Sequence, residues 1–134
     1  MKAFAEKLLP VEQEISQEKG PFLLFALFLR EDAADLWDVL VSAPWIDANQ
    51  GDALRFIVPK VQAVATPDEL AKLSRVAIIE TNHPALRAFQ SAIHIEHGLA
   101  EVQNSSFSGL QIRHAYIITS RPLAAHERRP LGAG

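Results

Sequence analysis

Cysteine is absent from this sequence of 134 residues. Without cysteine the chain can form no disulfide, no cysteine-ligated zinc or iron–sulfur site, and no cysteine nucleophile. Basic residues are also in the minority, because 13 Lys and Arg stand against 16 Asp and Glu, for a formal net charge of −3. Domains dedicated to nucleic acids usually carry a basic patch, so this balance argues against nucleic acid as a partner.

Long hydrophobic runs are missing as well. A transmembrane helix takes about 20 apolar residues, whereas the run at 22–29, FLLFALFL, has eight. That run follows a stretch containing Glu12, Glu14 and Glu18, and it has no small-residue cleavage site, so it is no signal peptide either. We therefore expect a cytoplasmic protein with no membrane partner.

The apolar run at 22–29 predicts the central strand of a sheet. It shows neither a helical nor an alternating period, and it lies between Gly20-Pro21 and Arg30. A strand this apolar is buried on both faces. Other elements must therefore cover the sheet on both sides.

The segment before this strand predicts an amphipathic helix that ends at Gly20, a residue suited to a C-terminal cap. Pro10 is expected to end a first turn and to restart the helix, because proline is tolerated at a first helical position. The apolar residues of the segment fall on one helical stripe, with Glu and Gln opposite: Phe4, Leu8, Val11 and Ile15.

The segment after the central strand predicts its hairpin partner, because apolar and polar residues alternate over 37–43. Asp47 and Gln50 then suit a capping box for a helix that carries apolar residues as far as Val64. Proline in a helix interior removes a hydrogen bond and clashes with the preceding turn, so we expect a kink or break at Pro59.

The clearest local signal is Thr66-Pro67-Asp68-Glu69, which has an N-cap, a proline at the first helical position and a glutamate at the third. It predicts a short helix that ends near Leu73. A strand buried on both faces is expected at 75–80, and Pro84 is expected to open a helix that runs to about Ser91.

The last third of the chain predicts strands. Residues 92–97 fit either the end of a helix or extended chain, and we favour extended chain. A short strand at 99–103, a turn at 104–109 and a long closing strand at 110–120 follow. On the closing strand one face is expected to carry Leu110, Ile112, His114, Tyr116 and Ile118.

Together these elements predict a single α+β domain over 1–120. We expect a mostly antiparallel or mixed sheet of about five strands, with helices packed on at least one face. A basic tail containing proline and glycine follows at 121–134. Its net charge of +2 leaves −5 for the domain.

Acidic residues provide the first candidate site. Six of them lie between Arg30 and Arg55 with no Lys or Arg among them, but their spacing matches no calcium-binding loop, and we predict no metal site. Most are expected in a loop or at helix starts, where acids are solvated or oppose the helix dipole. Asp38 is the exception, because it lies inside a strand beside Trp37, and we take both as candidate ligand-binding residues.

Histidines provide the other candidates. No regular structure brings the three polar side chains of 94–97 together, and only His94 is kept, as a candidate ligand-binding residue. The best catalytic candidates are Glu80 and His83, because ligand crevices in α/β proteins form at the carboxyl ends of strands. The alternative is that Asn82 or His83 only caps the following helix.

The sequence contains no visible set of nucleophile, base and orienting group, so no motif names a reaction, and we predict no cofactor. We expect a small soluble, non-catalytic binding or protein-interaction module that self-associates. Its mean hydropathy of +0.06 fits apolar surface buried between subunits. Trp37 and Trp45, which flank a half-polar strand, are candidate contact and ligand-binding residues. The alternative is a small hydrolase or metal-dependent enzyme with a pocket around Glu80 and His83.

Overall fold

The computed structural model describes residues 1–33, 35–107 and 110–122. Within these ranges the chain alternates helices with the strands of one sheet. The elements in chain order are α1 (Lys2–Lys19), β1 (Leu24–Leu29), β2 (Trp37–Ser42), α2 (Pro44–Ala48), α3 (Gln50–Ala63), α4 (Pro67–Lys72), β3 (Leu73–Ile78), α5 (Pro84–Ala92), β4 (Ala100–Phe107) and β5 (Leu110–Ser120).

The five strands form one mixed sheet in the order β3-β2-β1-β5-β4. The central strand is β1, which pairs antiparallel with β2 on one side and with β5 on the other. β4 pairs antiparallel with β5, and β2 and β3 form the parallel pair. The predicted α+β domain with a mixed sheet and a central strand from the apolar run is confirmed.

One face of the sheet, here called the front face, is covered by α1 and α3. The parallel pairing of β2 with β3 requires a crossover connection, and α2, α3 and α4 provide it. Buried side chains of both helices and of the strands form a single cluster that includes Phe4, Leu8, Ile15, Phe25, Leu27, Val39, Val41, Ile57, Val61, Tyr116 and Ile118.

The opposite face, here called the back face, is covered by α5, a helix of nine residues. Its Leu86 and Phe89 join a smaller buried cluster with strand residues Leu24, Ala26, Ile112, Ala115 and Ile117. At the margin of this cluster, Phe28, Leu40 and Val102 are only partly buried. One short helix therefore leaves part of the back face open to solvent.

Both prolines that were expected to interrupt helices lie inside them. α1 continues through Pro10, so the predicted restart of the helix there was wrong. α3 continues through Pro59 without a break, and the alternative of a kink there stays a prediction. An interior proline costs a helix about 3 kcal/mol. Leu8 and Ile15, on either side of Pro10, are fully buried. Their packing against the sheet outweighs the local cost of the proline.

Two predicted helix ends are confirmed. Gly20 follows α1 with a φ of +123°, a conformation that favours glycine. Its carbonyl oxygen accepts a hydrogen bond of 3.0 Å from Nε1 of Trp45. At α4, Thr66 and Glu69 form the reciprocal capping box that their spacing predicted.

The predicted capping box of Asp47 and Gln50 was wrong. A separate short helix, α2, already begins at Pro44, so Asp47 lies within it. The N-cap of α3 is Asn49, whose Oδ1 accepts a hydrogen bond of 3.1 Å from the backbone N–H of Asp52. Asn49 offers the same kind of side-chain acceptor as an aspartate, and the sequence pattern did not distinguish position 49 from position 47 as the N-cap.

β3 lies at an edge of the sheet and begins and ends two residues earlier than predicted. The expected burial on both faces was wrong, because Ser74 and Arg75 are exposed and the other residues are only partly buried. In the described part of the chain, β3 pairs only with β2. Its outer side therefore faces solvent.

The other edge strand, β4, is longer than predicted and continues to Phe107 through most of the expected turn. Ser108 and Gly109, the end of that predicted turn, lie outside the described residues. β5 has its predicted bounds, but Ile112 joins the back cluster, whereas Tyr116 joins the front one. Asn104, across from this part of β5, has a φ of +48° and interrupts the regular alternation.

The connection from α5 to β4 is extended, as favoured above. Ile95 forms an isolated bridge with Ser120 through two backbone hydrogen bonds of 3.0 and 2.8 Å. Of the predicted basic tail, residues 123–134 lie outside the described part. Among the helices described, none combines the length and the apolar character needed to cross a bilayer.

Candidate functional site

Asp38 lies in β2 between Phe28 of β1 and Arg75 of β3. Its neighbours Trp37 and Val39 face the front cluster, so the alternation of the strand directs Asp38 to the back face. Its side chain is only 9% exposed. It lines an open depression of about 270 Å³, here called the Asp38 depression, together with Phe28, Leu29, Arg30, Glu31, Asp32 and Arg75.

The two carboxylate oxygens of Asp38 differ in their partners. Oδ2 lies 3.3 Å from Nε of Arg75, whose own side chain is 61% exposed. Oδ1 is buried and accepts a hydrogen bond from none of the described residues. A buried acceptor without a donor costs about 1–3 kcal/mol. Oδ1 is therefore an acceptor that the described protein groups leave unsatisfied.

Arg30 forms the opposite side of the depression. Its Nε and Nη2 donate to the two oxygens of Asp32 at 2.9 and 2.7 Å, and its Nη1 donates to Oγ of Ser74 at 2.9 Å. These hydrogen bonds raise the pKa of Arg30 and lower the pKa of Asp32. Both oxygens of Asp32 are already engaged with a cation.

The acidic stretch looked unpaired in the sequence, but two of its aspartates have arginine partners in the structure. Asp32 and Asp38 each face an arginine, Arg30 and Arg75, which the fold brings to them. Across the described ranges, no three His, Cys, Asp or Glu side chains are grouped so that they could hold a metal ion. The chemistry that the depression offers is one buried carboxylate oxygen beside two guanidinium groups.

Trp37 points to the front face, away from Asp38. Its ring stacks on Tyr116 with centroids 5.9 Å apart and meets His114 edge-on at 5.2 Å. Nε2 of His114 in turn lies 2.7 Å from Oε2 of Glu101 on β4. Trp37 is thus a buried member of an aromatic cluster, and it forms no common site with its predicted companion Asp38.

Glu101 is exposed and contacts this aromatic cluster through His114. Hydrogen bonds from His114 and Gln103 lower the pKa of Glu101. Burial raises the pKa of Tyr116, and the neighbouring charge of Glu101 raises it further. The two shifts favour an ionised carboxylate beside a neutral phenol, an arrangement that holds β4 and β5 together.

A second glutamate–histidine pair joins a buried carboxylate to a partly exposed imidazole. Glu12 of α1 is fully buried, and its Oε1 is 2.6 Å from Nδ1 of His97 while its Oε2 accepts a hydrogen bond of 2.8 Å from Oγ1 of Thr119. The backbone N–H of His97 donates to the same hydroxyl at 3.2 Å. His97 has a φ of +53°, which is uncommon outside glycine. The pair fixes the orientation of the imidazole.

Sequence reasoning missed this pair. Glu12 was assigned to the exposed side of the N-terminal helix, although it is adjacent to Val11 and four residues after Leu8, both of which are buried. That spacing was the available signal, because residues four apart share a helix face. His97, by contrast, reaches Glu12 only through a backbone conformation that the sequence pattern does not predict.

The predicted catalytic pair has a different arrangement. His83 is the N-cap of α5, and its Nδ1 accepts a hydrogen bond of 3.0 Å from the backbone N–H of Ala85. Its backbone N–H donates to the carbonyl oxygen of Glu80 across a turn. Both side chains are exposed, and neither lines any of the depressions found in the described part. The capping alternative is the one that the geometry supports.

The remaining candidates lie apart from one another. His94 lines a wide, open depression beside α5 together with Thr81, Arg87 and Gln90. Trp45 lines shallow depressions on the far side of the molecule with Lys19, and its Nε1 is engaged with Gly20. The structure therefore brings no two of the predicted site residues into one ligand pocket within the described ranges.

Comparisons with known proteins add no family to this description. No protein-family model, no curated protein and no solved structure matches the chain. The function must therefore be argued from the geometry of this molecule alone.

Proposed function

We propose that this protein is a small, non-catalytic interaction module that self-associates by pairing the outer edge of β3 with the same edge of a second copy. One observation carries the proposal. Ile79 donates its backbone N–H to Val41 of β2 at 2.9 Å, so the alternate N–H groups of Val76 and Ile78 point away from the sheet. An unpaired edge of this kind is a template for another strand.

A groove of mixed character lies beside the same edge. It holds about 100 Å³ and is lined by the apolar residues Val58, Leu70, Leu73 and Val76 and by the polar residues Gln62, Ser74 and Arg75. Leu70 is 41% exposed and is the large apolar side chain most open to solvent among those described. A second strand along β3 would lie beside this groove and cover its apolar lining.

Charge favours a second copy as the occupant. Over 67–78, which comprises α4 and β3, Asp68 and Glu69 are balanced by Lys72 and Arg75. This edge is therefore neutral, although the domain as a whole carries −5, and two copies can approach there without net repulsion. An antiparallel pairing of a strand with itself also closes a symmetric dimer.

The opposite edge of the sheet is less suited to pairing. β4 has the polar sequence AEVQNSSF, and Asn104 interrupts it with a φ of +48°. Charges and irregularities of this kind are the devices by which edge strands avoid association. Trp37, at first a candidate contact residue, is buried and offers no contact surface.

The experiment compares one substitution on the two edges. Ser74 of β3 and Ser106 of β4 are both exposed, and each is replaced by lysine. Light scattering coupled to size exclusion, at tens of micromolar, should give twice the chain mass of 14.8 kDa for wild type and Ser106→Lys. Ser74→Lys and Leu70→Ser should give the monomer mass. A monomeric wild type at that concentration would refute the proposal, as would a Ser74→Lys dimer.

A further inference from the structure

The Asp38 depression has the features of a ligand site, and it shares Arg75 with the β3 edge. Asp38 is at least nine-tenths buried, lines the depression and keeps one carboxylate oxygen without a protein partner in the described part. Part of the lining is apolar, because it includes Phe28 and Leu29. We propose that it binds a small organic cation whose N–H group donates to Asp38.

The charge of the lining selects a cation. Glu31, Asp32 and Asp38 carry three negative charges against the two of Arg30 and Arg75, which leaves −1. An ionised carboxylate only accepts hydrogen bonds. A ligand that satisfies Oδ1 must therefore donate, and an ammonium or amidinium group does so while also neutralising the charge.

A metal ion fits the depression less well. Both oxygens of Asp32 are held by Arg30 at 2.9 and 2.7 Å, so they are not free to coordinate. The Nε of Arg75 lies 3.3 Å from Oδ2 of Asp38, so that oxygen is engaged as well. A hard divalent ion also needs several oxygen ligands, and Asp38 offers one.

Arg75 is the group that the ligand displaces. Its side chain is mostly exposed and reaches Asp38 through one long contact of 3.3 Å. A single long contact to an exposed arginine is open to competition from solvent, even though Asp38 itself is buried. When Arg75 swings into solvent, the ammonium group of a ligand takes its place at Oδ2 and directs a second N–H to the unsatisfied Oδ1. The protein's own guanidinium is thus a competitor for the site.

Replacing either member of the Asp38–Arg75 ion pair should change the affinity for a ligand cation, but in opposite directions. Ethylammonium is titrated into the full chain, and backbone amide NMR shifts of Phe28, Leu40 and Val76 report binding. Asp38→Asn should abolish saturable binding. Arg75→Ala should tighten it by about two- to fivefold, because the competing contact is gone. If the Asp38–Arg75 pair is only structural, ethylammonium should cause no saturable NMR shifts in any variant.

Three controls keep the test decisive if Asp38→Asn fails to fold. Tetramethylammonium carries the charge without an N–H donor and should bind at least tenfold more weakly to wild type. Propionate should not bind. Arg55→Ala, which breaks the exposed pair with Asp52 at 2.7 Å, should leave ethylammonium binding unchanged. Equal binding of the two ammonium ions, or weaker binding by Arg75→Ala, would overturn the inference.

Discussion

The front and back faces of the sheet are built from the same strands but are covered to different extents. On the front, α1 and α3 bury large side chains completely, and even the carboxylate of Glu12 is buried, with hydrogen bonds to His97 and Thr119. On the back, α5 covers the middle of the sheet, and Phe28 and Leu40 remain half-buried at the margin. The enclosed polar group is satisfied within the protein, whereas Asp38 at the open margin is not.

Because of this difference, the two faces of the sheet are expected to have different roles, one in stability and one in binding. A polar group inside a well-packed layer must find partners in the protein, because unsatisfied groups there are costly. At the margin of a thinner layer the same group lies next to a solvent-filled depression and can take a partner from outside. The front face is therefore expected to hold the determinants of folding, and the back face the determinants of ligand binding.

The largest effect is expected from a charge on the front face. Leu27→Asp and Phe25→Asp each place a carboxylate among fully buried side chains, which costs several kcal/mol against a total stability of about 5–15 kcal/mol. Neither variant should fold, as judged by circular dichroism and solubility. Leu40→Asp, half-buried on the back face, should fold with a lowered urea midpoint. Cooperative unfolding of a Leu27→Asp protein would contradict the expected difference between the front and back faces.

A smaller effect is expected from breaking the enclosed polar group. Glu12→Ala leaves Nδ1 of His97 and Oγ1 of Thr119 without their acceptor, and it should cost about 1–3 kcal/mol in urea unfolding. Glu101→Ala removes the similar but exposed pair with His114 and should cost clearly less. If the two variants lose the same stability, burial does not distinguish the two pairs.

These contacts also show what the sequence could predict. The central strand was predictable because eight apolar residues in a row fit only a doubly covered strand, and the capping box at Thr66 was predictable because its spacing is local. The Asp38–Arg75 pair was not predictable, since it depends on parallel pairing between strands 37 residues apart. The role of Asp38 was only suggested by its place inside a strand.

The misjudged Pro10 and the missed Glu12 have one cause. Local rules treat Pro10 as a helix breaker and a glutamate as a surface residue, but α1 lies on the front face, where packing decides. At the exposed caps Thr66 and His83 the local rules hold, but they failed at Asp47, where a separate helix already begins.

The cap of α5 offers a test on the back face. His83→Ala removes the acceptor for the backbone N–H of Ala85 and should cost about 0.5–2 kcal/mol, the range for helix caps. Asn82→Ala and Glu80→Ala should change stability less. Ethylammonium binding at the Asp38 depression should be unchanged in all three variants. A ligand response that is lost in Glu80→Ala and His83→Ala together would restore these residues as a site.

The smallest expected effect concerns the ion pair between α1 and α4 at the margin of the front face. Nζ of Lys7 donates to Oε1 of Glu69 at 2.5 Å, and that oxygen also accepts from the backbone N–H of Thr66. Burial by itself would raise the pKa of Glu69, but the hydrogen bonds from Lys7 and Thr66 outweigh it and lower the pKa below its usual value.

A carboxyl group whose pKa is lowered by folding stabilises the protein above its unfolded pKa, about 4.3, and loses this contribution as the pH falls through the folded value. Glu69→Gln keeps the capping acceptor and removes only the charge, so wild type should be more stable by about 0.2–1 kcal/mol at neutral pH. The difference should shrink below about pH 4.3 and in high salt. Glu14→Gln, which removes the more exposed partner of Lys60, should cost less at neutral pH. A Glu69→Gln difference that persists unchanged into acid would show that the charge of Glu69 does not hold α1 to α4.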